Sequence, residues 1–415
     1  MRIASAVLGA SLILVSYKIL KELKLNTKWS ILAVVLLFFF IIDNFYLDYN
    51  YVILFITLLI IFLEIKYKNY GAKYNLLIGL LAGSTILFKQ STGVIICAIT
   101  ALYLALEDRN KEVLKAIMYR IIGIIIPGII FTIYLICTNS LMDFIDYCVF
   151  GIGTFTNNVS YMKLLQGKDL EAFLGLVTPI TFLILFIEII INIKNKKIKE
   201  NKNKLILFVF ALAQFTVVYP IADEIHFKIA VFPIFLVILY YIFKEIQEIK
   251  NIKISIFIEH FMNIITISLV GILILSGIND IFIYTQTEKS VLKHFSNIPI
   301  SDTLQERILE VNKYIEDEER DVYILDSEAA VYMIPLDKYN KDFDMFLRGN
   351  LGAKGEERQI EKIKEMNNTV LLIKNEKIPL NWQTPKEVIE YVKNNLEKIG
   401  TINFFDIYIR VIICK

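Results

Sequence analysis

Three short polar segments interrupt an otherwise apolar chain, and their residue types suit proton transfer and phosphate binding. The first is Ile42-Asp43-Asn44-Phe45-Tyr46-Leu47-Asp48-Tyr49-Asn50. Its carboxylates, Asp43 and Asp48, can take a proton from a sugar hydroxyl or hold a metal; as groups at a helix end they can equally stay solvated. The second is Phe88-Lys89-Gln90-Ser91-Thr92-Gly93. An ammonium confined to a short break between two apolar runs is desolvated unless it meets an anion, and a lipid phosphate supplies one. The bland alternative is a lysine whose stem snorkels to the headgroups. The third is Tyr219-Pro220-Ile221-Ala222-Asp223-Glu224-Ile225-His226-Phe227-Lys228. Asp223 and His226, three apart, share a face if this stretch is helical. With Glu224 they can hydrogen-bond a phosphate or position an acceptor. A divalent cation is compatible with these carboxylates and the imidazole, although their spacing is not diagnostic of one.

The elements that position these groups are strongly apolar. Of 415 residues, 56% are hydrophobic and 21% charged, and the mean hydropathy is +0.57. An average globular domain is less apolar and more charged. The net charge of +2 offers no electrostatic case for nucleic acid. Four scattered cysteines without a C-x-x-C support neither a disulfide framework nor a structural zinc site.

Ten stretches are apolar and long enough to suggest bilayer helices, at roughly 3-20, 29-43, 48-65, 74-88, 91-106, 118-137, 170-192, 205-220, 228-243 and 261-283. The fourth and fifth leave room only for a tight hairpin at Lys89. Loop charge tests the order, because cytoplasmic loops collect Lys and Arg. Loops after odd-numbered stretches carry twenty such residues, counting Arg120, and those after even-numbered ones carry four, counting Lys228. The second set, with all three polar segments, is expected to face outward. Met1-Arg2 then starts outside, so one further span is expected to precede residue 1. Within the stretches interior charges are nearly lacking and no repeat is visible, which argues against a transporter or flippase.

From about Thr285 the composition turns charged and periodic. Helices at 301-319, 356-366 and 385-399 alternate with strands at 321-326, 369-374 and 404-413, the pattern of a small α/β layer. Pro385 and Gly400 bracket the last helix. Three glycines in Arg348-Gly349-Asn350-Leu351-Gly352-Ala353-Lys354-Gly355-Glu356 open into a helix. They form an ordinary turn or an anion cradle. The expected fold is thus an all-α polytopic membrane bundle of about ten transmembrane helices, 1-284, followed by a small α/β extracytoplasmic domain, 285-415. The long outer loop 138-169, with Phe144, Tyr147, Phe150, Phe155 and Tyr161, is aromatic enough to lie along the interface.

The hairpin GLLAGSTILFKQSTGV (79-94), the segment YPIADEIHF (219-227), the basic inner loops and the C-terminal α/β domain together resemble the GT-C class of polytopic glycosyltransferases. This superfamily includes protein mannosyltransferases and aminoarabinose transferases. The resemblance covers about 1-283. It implies a sugar moved from a polyprenyl-phosphate carrier to a glycan, lipid or protein acceptor at the outer face of the cell membrane. It further implies that the family's first span and first outer loop, which hold its catalytic Asp, are missing here. Asp43 then matches at best a second acidic loop position, and Lys89, Gln90, Asp223, Glu224 and His226 become the substrate contacts. A noncatalytic cell-envelope assembly protein, binding polymer through the outer domain, is the remaining alternative.

Overall fold

A computed structural model describes residues 2–67, 71–107, 111–151, 160–167, 170–198, 200–249, 252–296, 298–375 and 383–410. It divides into two compact units, one of residues 1–134 and 158–274, the other of 135–157 and 275–415.

All ten apolar stretches are largely helical, the sixth and the tenth ending within the second unit. They are α1 (Arg2–Glu22), α2 (Thr27–Ile41), α3 (Tyr49–Tyr67), α4 (Ala72–Phe88), α5 (Gln90–Glu107) and α6 (Lys111–Cys137). Two short helices, α7 (Leu141–Phe144), which belongs to the second unit, and α8 (Tyr161–Leu164), precede α9 (Leu170–Lys194), α10 (Lys202–Phe215), α11 (Glu224–Gln247) and α12 (Ile252–Gln286). Among the described residues six of them, α1, α3, α6, α9, α11 and residues 256–286 of α12, are long and apolar enough to cross a bilayer, which suggests a membrane protein. Helices α2, α4 and α5 are apolar but shorter.

Packing follows residue size. Gly79 and Gly83 on α4 face α6 so closely that a Cβ on Gly79 would lie 2.2 Å from Arg120 O and one on Gly83 2.4 Å from Ile124 O. Small residues four apart let helix backbones touch, which in lipid replaces the hydrophobic drive that water would provide. Gly93 does the same for the α4–α5 hairpin, where a Cβ would lie 2.6 Å from the Ile86 backbone. Outward faces are apolar: Ile121, Ile125 and Ile129 of α6 and Phe257, Ile264 and Ile267 of α12 are all exposed.

Two features depart from the loop count. Arg120 is not a loop cation; it sits in α6 at 1% exposure. Lys228 is likewise inside α11 and buried. Each has a carboxylate partner, so burial rather than solvent sets its place. Glu64, three residues from the end of α3, lies buried and pairs with Arg120, so the nearly charge-free stretches hold a buried ion pair near their ends.

The second unit is a three-layer α/β fold. α13 (Asp302–Asp317) leads into β1 (Asp321–Ile324), then α14 (Ala329–Met333), α15 (Glu356–Glu365), β2 (Thr369–Lys374), α16 (Lys386–Asn395), β3 (Glu397–Ile402) and β4 (Phe405–Ile409). The strand order is β1-β2-β4-β3, with β1 parallel to β2 and the other pairs antiparallel. Alternation along β2 serves both faces. Val370 and Leu372 pack with Ile308 and Val311 of α13, while Leu371 and Ile373 pack with Ile363 of α15 and Val388 of α16.

The helix expected over 385-399 ends at Asn395, and Gly400 lies inside β3 rather than past a helix end. Backbone pairing to β4 across the Asn403 turn, where φ is +53°, claims these residues as an edge strand. The strand expected at 404-413 is described as Phe405–Ile409; residues 411-413, like Phe155, fall outside the described residues. Residues 135–151 belong to this unit, where Asp146 accepts from Ala353 N at 3.1 Å and is ion-paired with Arg358. The glycine turn is thus already supplied with an anion, the carboxylate of Asp146. Gly349, Gly352 and Gly355 all adopt positive φ there.

Candidate functional site

The polar segments meet at one end of the first unit, around Lys89. This is the only residue between α4 and α5, and it caps both. Its N–H donates to Thr85 O at 3.1 Å, closing α4, and its carbonyl accepts from Gly93 N at 2.9 Å, opening α5. With both backbone groups satisfied in one extended residue, the side chain is fixed where the hairpin turns. Its Nζ donates to Val217 O at 3.1 Å. Burial pushes the ammonium down to about 8, against the opposing pull of Asp48 and Asp223.

Each of those carboxylates also starts a helix. Asp48 Oδ1 accepts from Asn50 N at 2.8 Å and its carbonyl from Val52 N, so it caps α3. Asp223 caps α11, accepting from His226 N at 2.9 Å and from His226 Nδ1 at 2.7 Å. Burial raises the Asp223 carboxyl, but the His226 hydrogen bonds outweigh it and hold the group below its usual value. The contact through Nδ1 fixes the orientation of the imidazole on the Asp223 carboxylate. Tyr46, on the connection before Asp48, has its phenol pushed up by burial and by Asp48 and Asp223.

An apolar cavity of about 530 Å³ adjoins the hairpin. Ile95, Phe215 and Pro220 wall it, while Ser91, Thr216 and Tyr219 give it hydroxyls. Thr216 Oγ1 lies 3.3 Å from Thr92 Oγ1, tying the end of α10 to the first turn of α5.

The candidates therefore separate. Asp48, Lys89, Asp223 and His226 form one electrostatic group. Gln90 opens α5 beside Lys89, half-buried. Glu224 turns to another partner, Lys228 Nζ at 2.7 Å, which also meets Glu171 at 3.2 Å. Asp43 stands exposed on a 3-10 turn, Ile42–Asn44, outside this group. Among the described residues no cluster of three or more His, Cys, Asp or Glu side chains is arranged to hold a metal.

Sequence reasoning missed Glu171 and Thr216, which carry no motif and become visible only once α9 and α10 are packed; Thr92 stands in the hairpin segment but was given no role there. The chain matches no protein-family model, no curated protein and no solved structure.

Proposed function

We propose that the chain is a membrane glycosyltransferase of the GT-C type, working at the extracytoplasmic face of the cell membrane. Its donor is a polyprenyl-phosphate sugar and its acceptor a glycan, lipid or protein. The observation that carries this reading is Lys89: a partly desolvated ammonium fixed in a one-residue hairpin turn, coupled to Asp48 and Asp223 beside an apolar cavity. The combination suits an anionic headgroup on an apolar chain.

In the proposed step an acceptor hydroxyl attacks the anomeric carbon. The new C–O bond forms as the bond to the phosphate oxygen breaks, and both electrons of that bond leave with the phosphate. Asp48 takes the hydroxyl proton, and Lys89 offsets the charge growing on the departing phosphate. Asp43, exposed and apart, is assigned no step.

The test is transfer of radiolabel from a polyprenyl-phosphate sugar to a crude acceptor fraction by purified protein. Lys89→Ala and Asp48→Asn are expected to lower kcat/KM by about 10²–10³-fold, the range for removing one charge-stabilising or acid–base group. Asp43→Asn should stay near wild type. Absence of transfer by the wild-type protein overturns the reading.

A further inference from the structure

α3 carries a second polar pattern, directed into the bundle. Asn50, Thr57 and Glu64 recur every seven residues and are only 2%, 0% and 1% exposed. Residues seven apart lie two turns along nearly one helix face. At 1.5 Å per residue the stripe is about 21 Å long, most of the roughly 30 Å hydrocarbon thickness.

Neighbouring helices meet it at successive heights. Thr57 Oγ1 lies 2.9 Å from both Ile53 O of its own helix and Gln214 Oε1 of α10, and its one proton is shared between them. Tyr103 of α5 donates to Glu64 Oε2. Arg120 of α6 lies 2.6 Å from Glu64 Oε1, and donates to Asn75 Oδ1 of α4 at 2.7 Å and to Thr100 O of α5 at 2.9 Å. Tyr74 of α4 is the remaining titratable group coupled to this carboxylate. Asn75 reaches Gly71 O, at the start of α4, so the far end of the stripe lies within one turn of a helix terminus.

Three polar atoms along the way, Asn50 Oδ1, Gln214 Nε2 and Thr100 Oγ1, have no hydrogen-bond partner among the described residues. Each is fully enclosed, and leaving it unpaired costs about 1–3 kcal/mol. A core selected for stability alone would use apolar side chains here. Polar atoms that lack a partner at several heights are the sites at which internal water is held. Ionisable groups inside membrane helices mark ion and proton routes.

We propose that α3, α5 and α10 enclose a proton-conducting column that runs from Asn50 to the Glu64–Arg120 pair, with the Glu64 carboxylate as its proton-binding station. A proton enters beside Asn50 and is relayed through water and the Thr57 hydroxyl. It converts the Glu64 carboxylate to the neutral acid while Arg120 keeps its charge. Release on the Asn75 side regenerates the carboxylate, so one proton crosses down its gradient and no other bond changes. This is independent of sugar transfer.

The test uses the full chain in liposomes with a trapped pH-sensitive dye, an imposed pH difference of about one unit and a clamped membrane potential. Wild-type vesicles should acidify about tenfold faster than protein-free ones. Glu64→Gln should fall to the protein-free rate, and Thr57→Val should slow flux while leaving the Arg120 pair in place. Gly271→Ala, a site with nothing within 4 Å of its Cβ position, should conduct as wild type. Wild-type flux at the protein-free rate overturns the proposal, as does full flux in Glu64→Gln. If Glu64→Gln does not fold, unchanged flux in folded Thr57→Val overturns it instead.

Discussion

A methyl group added to Gly79 would sit 2.2 Å from the carbonyl oxygen of Arg120, and one added to Gly123 would sit 2.4 Å from Leu76 O. The α4–α6 contact is therefore backbone against backbone, and neither side can yield by turning a rotamer. Gly79→Ala and Gly123→Ala should each destabilise the protein by about 1–3 kcal/mol, the usual cost of overpacking. Gly271→Ala, where the added atom meets nothing, should leave thermal unfolding in detergent unchanged. Equal melting of all three variants would remove the close crossing.

The pair formed by Glu64 and Arg120 allows a second prediction. Both side chains are about 1% exposed, so removing one leaves the other charged and buried. Arg120→Leu should cost about 3–5 kcal/mol. Replacing both residues by Leu should cost distinctly less, because the uncompensated charge is gone. A double variant as unstable as the single one would show that packing, not charge, dominates there.

Apolar runs in the sequence were enough to locate ten helices, since a long uncharged stretch has few other uses. The hairpin at Lys89 was legible for the same reason: only Lys89 and Gln90 separate two such runs. Arg120 was misread because charge near the end of an apolar run looks the same whether water or a buried carboxylate receives it. Its partner, Glu64, is 56 positions away in the chain. β3 was missed because Glu397–Ile402 is short, mixed and on the sheet edge, and pairing to β4 overrides its helical continuity with α16. At the candidate site the residue types were visible. Which carboxylate joins Lys89, Asp48 rather than Asp43, depends on a 3-10 turn that no periodicity announces.

Asp146 offers a third prediction, in the second unit. Its carboxylate takes the Ala353 N–H at 3.1 Å and the Arg358 guanidinium, anchoring its own segment to the glycine turn. Asp146→Ala should cost about 1–2 kcal/mol, since charge-assisted hydrogen bonds are lost from groups that are partly solvated. It should also speed proteolytic cutting between Gly349 and Gly355. Asp146→Asn keeps an acceptor for Ala353 and should fall between. Unchanged cleavage in Asp146→Ala would mean the contact does not order the turn.

Lys89 gives the prediction with a defined pH window. Its ammonium titrates at about 8, and an ordinary lysine near 10.5. Between those values the unfolded chain holds the extra proton and the folded chain does not. Stability should therefore rise with pH from about 8 to about 10.5, and that gain should be lost as pH falls back through 8. Lys89→Met should remove this component of the profile. Acylation of Lys89, followed by mass spectrometry, should show a midpoint near 8. Asp48→Asn and Asp223→Asn each delete a negative charge that favours the ammonium, so both should move the midpoint lower still. A wild-type midpoint above about 10 would mean that Lys89 is solvated, and the hairpin turn would then be no place to hold a phosphate.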